Sequence, residues 1–130
     1  MKELVHDTLG FHPERIEKMA SGGVRVRIPH DRFPQVVVHW VGTAVSERPR
    51  LKALMPAAGE STRLLLDYVL EIPGSPTLLC LEVDVPRDRT LPSVTAVWAY
   101  AEWWQEELSV FNGARFEGAK QREESPWQQA

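Results

Sequence analysis

A two-layer α+β fold, with a mixed β-sheet covered by helices, is what this 130-residue sequence predicts. Three patterns carry that expectation. The middle of the chain holds two apolar runs, residues 63–72 and 77–85, separated by Pro73-Gly74-Ser75-Pro76, which reads as a β-hairpin. Residues 24–28, Val-Arg-Val-Arg-Ile, alternate as a short strand. Helix-period segments flank these strands at both ends of the chain.

Taken in order, residues 2–9 and 13–20 each offer an apolar face. The second does so through Ile16, Met19 and Ala20, with Pro13 suited to a first helical turn and Gly22-Gly23 as a stop. After the 24–28 strand, Pro29 ends the run. In residues 33–41 the Val-Val-Val stretch favours a strand by propensity. Phe33, Val36, Val37, Trp40 and Val41 nevertheless recur at helical spacing, and Pro34 fits a first turn, so the segment reads as a helix. Residues 43–50 read as a loop, and 51–57 as a strand broken near Pro56. Within 77–85, Thr77, Leu79, Leu81, Val83 and Val85 face one way, with Glu82 and Asp84 on the other. Residues 86–92 are polar and irregular, and 93–98 read as a short strand or an extended approach. Residues 99–111 form a helix with Gly113 placed for a left-handed cap. The reading is one domain over 1–118 and a polar, frayed tail over 119–130.

Composition narrows the function classes. Apolar residues are 43% and charged residues 25%, which is globular usage. No apolar run is long enough to span a bilayer. The first seven residues carry no apolar signal core, so a secretory signal is not expected. A net charge of −3 gives no basic footprint for nucleic acid. The single cysteine, Cys80, excludes an internal disulfide and reads as an inert strand thiol. His6, His12, His30 and His39 have no metal-ligand spacing, and His39 reads as a structural histidine. Glu82, Asp84 and Asp67 read as a solvated sheet face or as partners of Arg63, Arg87 and Arg89, with acid–base chemistry as the minor alternative. Arg25 and Arg27 read as a solvated strand face.

The charge is concentrated. Between 98 and 118, Glu102, Glu106, Glu107 and Glu117 face only Arg115, and Trp98, Trp103 and Trp104 are three of the five tryptophans. At 100° per residue Tyr100, Trp103, Trp104, Leu108 and Phe111 share a face, with Glu102, Gln105, Ser109 and Asn112 opposite. Glu107 points from the middle of that stripe. A carboxylate there is expected to be paired with an arginine, either Arg115 or one from a partner, because a buried lone charge is costly.

This region resembles one family. Pro92-Ser93-Val94-Thr95-Ala96-Val97-Trp98, Ala101-Glu102-Trp103, Glu107 and Gly113-Ala114-Arg115-Phe116-Glu117-Gly118 are similar to the signature of the thirty-kilodalton subunit of respiratory complex I, the NADH dehydrogenase of electron transport. That family includes the matching domain of membrane-bound nickel–iron hydrogenases. The chain departs from the pattern at Gln105-Glu106, at Val110 in place of an aspartate, and at Ala119-Lys120-Gln121 in place of His-Pro-Asp, so it resembles a divergent member. The resemblance implies a mixed sheet covered by helices and no catalytic site or cofactor of its own. It also implies docking against the large, hydrogenase-like subunit of a peripheral arm and neighbouring iron–sulfur subunits, in the cytoplasm at the inner face of the membrane. The implied interface or motif residues are Trp98, Trp103, Trp104, Glu107, Gly113, Arg115, Phe116 and Gly118. The alternative is a stand-alone small-ligand-binding or self-associating domain, a homo-oligomer when isolated, that kept the fold and lost the complex.

Overall fold

The computed structural model describes residues 1–117. Gly118 and the tail expected over 119–130 lie outside the described residues. The elements run α1 (Lys2–Leu9), β1 (Glu17–Lys18), β2 (Val24–Pro29), α2 (Phe33–Gly42), a 3₁₀ turn (Val45–Glu47), β3 (Arg50–Gly59), β4 (Arg63–Glu71), β5 (Leu78–Pro86), β6 (Leu91–Pro92), α3 (Ala101–Asn112) and β7 (Phe116–Glu117). The main sheet has the order β1-β2-β5-β4-β3. Only the β2–β5 pair in it is parallel, so the sheet is mixed. The short β6 and β7 pair in parallel beside it. This is the predicted α+β class.

Period-two alternation decides which face is covered. In register, Val26 lies beside Leu81, and Val83 beside Leu66, so the inward residues of β2, β5 and β4 form one apolar face. Onto it pack Phe33, Val36 and Trp40 of α2, and Val5 and Leu9 of α1. The Trp40 indole N–H donates to the Thr8 carbonyl at 2.8 Å, which ties α2 to α1. Its ring meets Phe33 edge-on at 6.0 Å and Trp98 at 5.0 Å. Helix periodicity therefore prevails over the β propensity of Val36-Val37-Val38, because this spacing delivers the large side chains to a ready apolar sheet.

Four expectations are corrected. Residues 13–20 are not a helix. Glu17–Lys18 instead forms a hairpin strand with β2, closed by Met19 N–H donating to the Gly23 carbonyl at 2.8 Å. Gly22, at φ 95°, is the turn residue of that hairpin and not a helix stop. An eight-residue amphipathic segment is marginal as a helix, and pairing with the edge of β2 satisfies its backbone instead. Residues 93–98 are a turn and not a strand. Trp98 N–H donates to the Val94 carbonyl at 2.8 Å, and the Gln105 side chain takes the Val94 N–H at 2.9 Å. The loop expected over 43–50 contains the 3₁₀ turn and ends one residue early, at the start of β3. Finally, β3 runs on to Gly59, beyond the expected 57. Its register shifts between Leu51 and Ala53 and between Pro56 and Ala58, and those irregularities let an edge strand carry a proline.

The outward face of the sheet differs from expectation too. Arg25 and Arg27 of β2 stand beside Cys80 and Glu82 of β5, with Asp67 of β4 opposite Glu82. Glu82 is only 2% exposed and Asp67 is also buried, so neither is a solvated carboxylate. Arg27 hydrogen-bonds Glu82 through Nε, and Arg25 lies 3.9 Å from Asp67 and 4.0 Å from Glu82. The two arginines close over the carboxylates and exclude water from them. Of the expected partners only Arg63 joins this face, donating to Asp84 at 2.7 Å. Arg87 instead donates to the Glu60 and Asn112 carbonyls and fastens the end of α3. Arg89 enters no ion pair among the described residues.

Burial, and then the neighbouring Glu82 charge, push the Asp67 carboxyl above the ordinary carboxylate range. Burial and the Asp67 charge push the Cys80 thiol up to about 11, so it stays a protonated and poor nucleophile. The raised Asp67 value has a defined sign. The folded protein holds this proton more tightly than the unfolded chain, so the associated stability is present at acid pH and is lost as pH rises through the folded-state value. Asp67→Asn removes the titration. In urea melts, the variant is expected to match wild type near pH 4 and to gain on it steadily towards neutrality. A constant difference across that range would contradict the assignment.

Candidate docking surface

Helix α3 follows the 93–98 turn. Its C-terminus is closed by Gly113 at φ 75°, with Gly113 N–H donating to the Ser109 carbonyl and Ala114 N–H to the Leu108 carbonyl, both at 3.2 Å. Ala101, Gln105 and Leu108 are its buried residues. They recur at i, i+4 and i+7, so the helix is rotated from the phase expected from its aromatics. Gln105, expected to face solvent, is 3% exposed. Its amide nitrogen donates to Ser93 Oγ at 2.8 Å while its oxygen accepts from Val94 N–H, so the buried amide is satisfied. The missed signal is that same Ala101–Gln105–Leu108 spacing, outweighed in the sequence by Tyr100, Trp103, Trp104 and Phe111 on another face.

The rotation turns most of those large residues outward. Trp103 is 60% exposed, Phe111 78%, and Tyr100 and Val110 are exposed with them. Trp104 is half-buried and meets Tyr100 edge-on at 5.8 Å. Tyr100 also holds the helix against the sheet edge, since its hydroxyl donates to the Leu51 carbonyl and accepts from Leu51 N–H, each at 3.0 Å. Between α3 and β3 lies a groove of about 240 Å³, walled by Leu54, Met55, Trp104, Leu108 and Phe111, with Glu107 at its edge.

The remaining site residues separate into two groups. Trp98 is a core residue, its indole N–H donating to the Pro49 carbonyl at 2.9 Å. Phe116 packs partly against the core and pairs with Leu91. Gly113 is a cap. Arg115 is exposed, and its carbonyl accepts from Leu91 N–H at 2.9 Å. Gly118 lies outside the described residues. Glu107 is exposed and enters no ion pair among the described residues, so the expected internal pair with Arg115 does not form. The helix rotation is the reason: a carboxylate in the exposed aromatic stripe is already solvated. Trp103, Trp104 and Glu107 thus share one surface with Tyr100, Phe111 and Met55, which sequence reasoning had not named as site residues.

Glu107→Gln is accordingly expected to leave the melting temperature of the isolated protein within about 2 °C of wild type, as for surface substitutions away from special contacts. A large drop in a thermal melt would mean that the glutamate has an internal partner after all.

Among the described residues, no group of three or more histidine, cysteine, aspartate or glutamate side chains is placed to hold a metal ion. Among those same residues, no helix is long and apolar enough to cross a membrane.

No protein-family model matches the chain, and no curated protein matches it. Among solved structures, it is similar to a chain in the membrane-bound sulfane sulfur reductase (MBS), described as an archaeal respiratory membrane complex. The TM-score is 0.69 at 19% sequence identity, over 96% of this chain and 74% of that one. At this identity the likeness establishes a shared fold. It extends over almost the whole chain.

Proposed function

We propose that the chain is a non-catalytic docking subunit of a membrane-associated electron-transfer complex, of the NADH:quinone oxidoreductase or energy-converting hydrogenase kind. The observation that carries this is the α3 surface. A small domain that leaves a tryptophan, a phenylalanine, a tyrosine and a valine exposed along one helix has a contiguous apolar patch that a partner covers. The fold shared with a chain of a respiratory membrane complex supports the choice of complex. So does the Trp98–Gly118 signature.

In this reading Trp103 and Phe111 are the anchors, and Trp104 and Met55 line the groove that receives an apolar side chain of the large subunit. Glu107 sets a negative charge within the patch, which selects a partner surface bearing arginine or lysine. Trp98, Gly113 and Phe116 support the helix from behind, and Arg115 lies on the exposed rim. The chain contributes shape and charge and no cofactor. It sits on the cytoplasmic side, peripheral to the membrane through its complex.

The test is fractionation and native purification. Tagged protein is expected in the membrane fraction and, after mild detergent extraction, in stoichiometric company with a large subunit and iron–sulfur subunits. Recovery from the membrane-free supernatant as a monomer or a symmetric homodimer would favour the stand-alone, self-associating alternative.

A further inference from the structure

The opposite edge of the sheet carries a second surface, one rich in arginine. β1 pairs with β2 only at Val24 and Arg25, so among the described residues the β2 edge beyond Arg25 has no strand partner on that side. Along this stretch lies a groove of about 560 Å³, with Phe11, Pro13 and Arg15 on its far wall and Arg25, Arg27 and Arg32 among its lining.

The direction of the backbone follows from the hydrogen bonds at the two ends of β2. His30 N–H donates across to the Asp84 carbonyl of β5, whereas the Gly23 carbonyl accepts from Met19 on the β1 side. Even-numbered residues of β2 therefore address β5, and odd-numbered ones address the outer edge. The N–H and carbonyl of Arg27 point to the uncovered edge, and Pro29 ends the ladder beyond it.

The side chains are arranged to match. Arg25 and Arg27 are two apart, so their side chains leave the same face of the sheet from positions about 6.6 Å apart along the strand. Arg27 is fixed by its Nε on the buried Glu82, yet its side chain is 61% exposed, so its terminal nitrogens are left to face outward. Of the three acidic side chains of the lining, Asp84 is engaged by Arg63 and Glu17 by Arg15, while Glu14 is exposed. Arg32 enters no ion pair among the described residues. It lies over the Phe11 ring at 4.8 Å and donates to Gln35.

We propose that this groove receives an extended acidic segment of a neighbouring subunit, which adds to the sheet at Arg27 as a further strand. A residue paired with Arg27 lies on the same face as its guanidinium. A glutamate or aspartate there would meet Arg27. The open backbone edge favours an extended peptide over a small anion, and over the helical α3 surface of a second copy. The two docking surfaces would then lie at opposite edges of the sheet, roughly 19 Å apart across four strand spacings. The chain would bridge two partners of unlike charge.

The test uses the full chain and a fluorescein-labelled peptide of alternating glutamate and valine, read by anisotropy at low salt. Saturable binding is expected. It should weaken at least tenfold in Arg27→Glu and in Arg32→Glu, with Arg32 lying outside the buried carboxylate cluster so that folding is preserved. A peptide N-methylated at alternate residues should also lose at least tenfold, and a lysine–valine peptide should not bind. Trp103→Ala should bind as wild type, which separates this surface from the α3 surface. The proposal is overturned by any of four results. These are absence of saturable binding, indifference to both arginine variants, equal binding by the N-methylated peptide, and displacement by inorganic phosphate at concentrations where the chloride salt has no effect. A Trp103→Ala variant that loses peptide binding would equally overturn it, by placing the peptide on the other surface.

Discussion

Replacing Trp103 and Phe111 together by alanine is expected to abolish assembly while leaving the domain folded. Both side chains are more than half exposed, so their removal opens no cavity in the core. In an isolated-protein melt the double variant should unfold at or slightly above the wild-type temperature. Against the partner the effect is large. Aromatic anchors at the centre of an interface each cost about 2 kcal/mol or more when truncated, so the pair should weaken binding by roughly several hundredfold. Titration of the purified chain onto the remaining complex, by calorimetry or by co-sedimentation, measures it. A loss of less than about threefold would mean that the aromatic stripe is ordinary surface. A double variant that melts early would mean that the stripe is core.

The second large effect is in the core. Trp40→Ala is expected to cost about 3–5 kcal/mol, as for other buried tryptophans. The side chain is fully buried, its N–H is the tie to the Thr8 carbonyl, and its ring is shared between Phe33 and Trp98. Removing it detaches α1 from α2 and takes away the surface on which the 93–98 turn rests. Because that turn leads into α3, the variant should lose both thermal stability and assembly. The drop in melting temperature should exceed about 10 °C for a domain of this size. Trp40→Phe, which keeps most of the ring volume but not the N–H, should fall between the variant and wild type. Retention of wild-type stability by Trp40→Ala would contradict this packing.

The sequence made the strands of the sheet legible where alternation was strict. The 63–72 and 77–85 hairpin could be read because Leu79, Leu81, Val83 and Val85 alternate with other residues and Pro73–Pro76 marks the turn. Helix α2 could be read because Phe33, Val36, Val37 and Trp40 keep helical spacing through a β-branched run. What could not be read depended on contacts between distant segments. Residues 13–20 have an acceptable helical pattern on their own, and only the edge of β2 draws Glu17–Lys18 into a strand. The phase of α3 was misread for a related reason. The largest apolar residues normally mark the buried face, but here that face is Ala101, Gln105 and Leu108, because Ser93 and Val94 need the glutamine amide. A helix whose tryptophan points to water breaks the usual agreement between hydrophobicity and burial, and such breaks mark functional surfaces. The buried state of Asp67 and Glu82 was illegible too, since it depends on Arg25 and Arg27 arriving from a strand more than forty residues earlier than Asp67 in one case and more than fifty residues earlier than Glu82 in the other.

The central claim is that the α3 surface seats this chain on the large subunit of an electron-transfer complex. It is tested most directly by placing a photo-crosslinking amino acid at position 103 and irradiating the native membrane assembly. A control crosslinker goes at Arg89, which is exposed and is not a member of the aromatic stripe. One dominant crosslinked product is expected from position 103, containing the large subunit, and none of it from position 89. A position-103 probe that crosslinks to nothing, or only to a second copy of this chain, would contradict the claim.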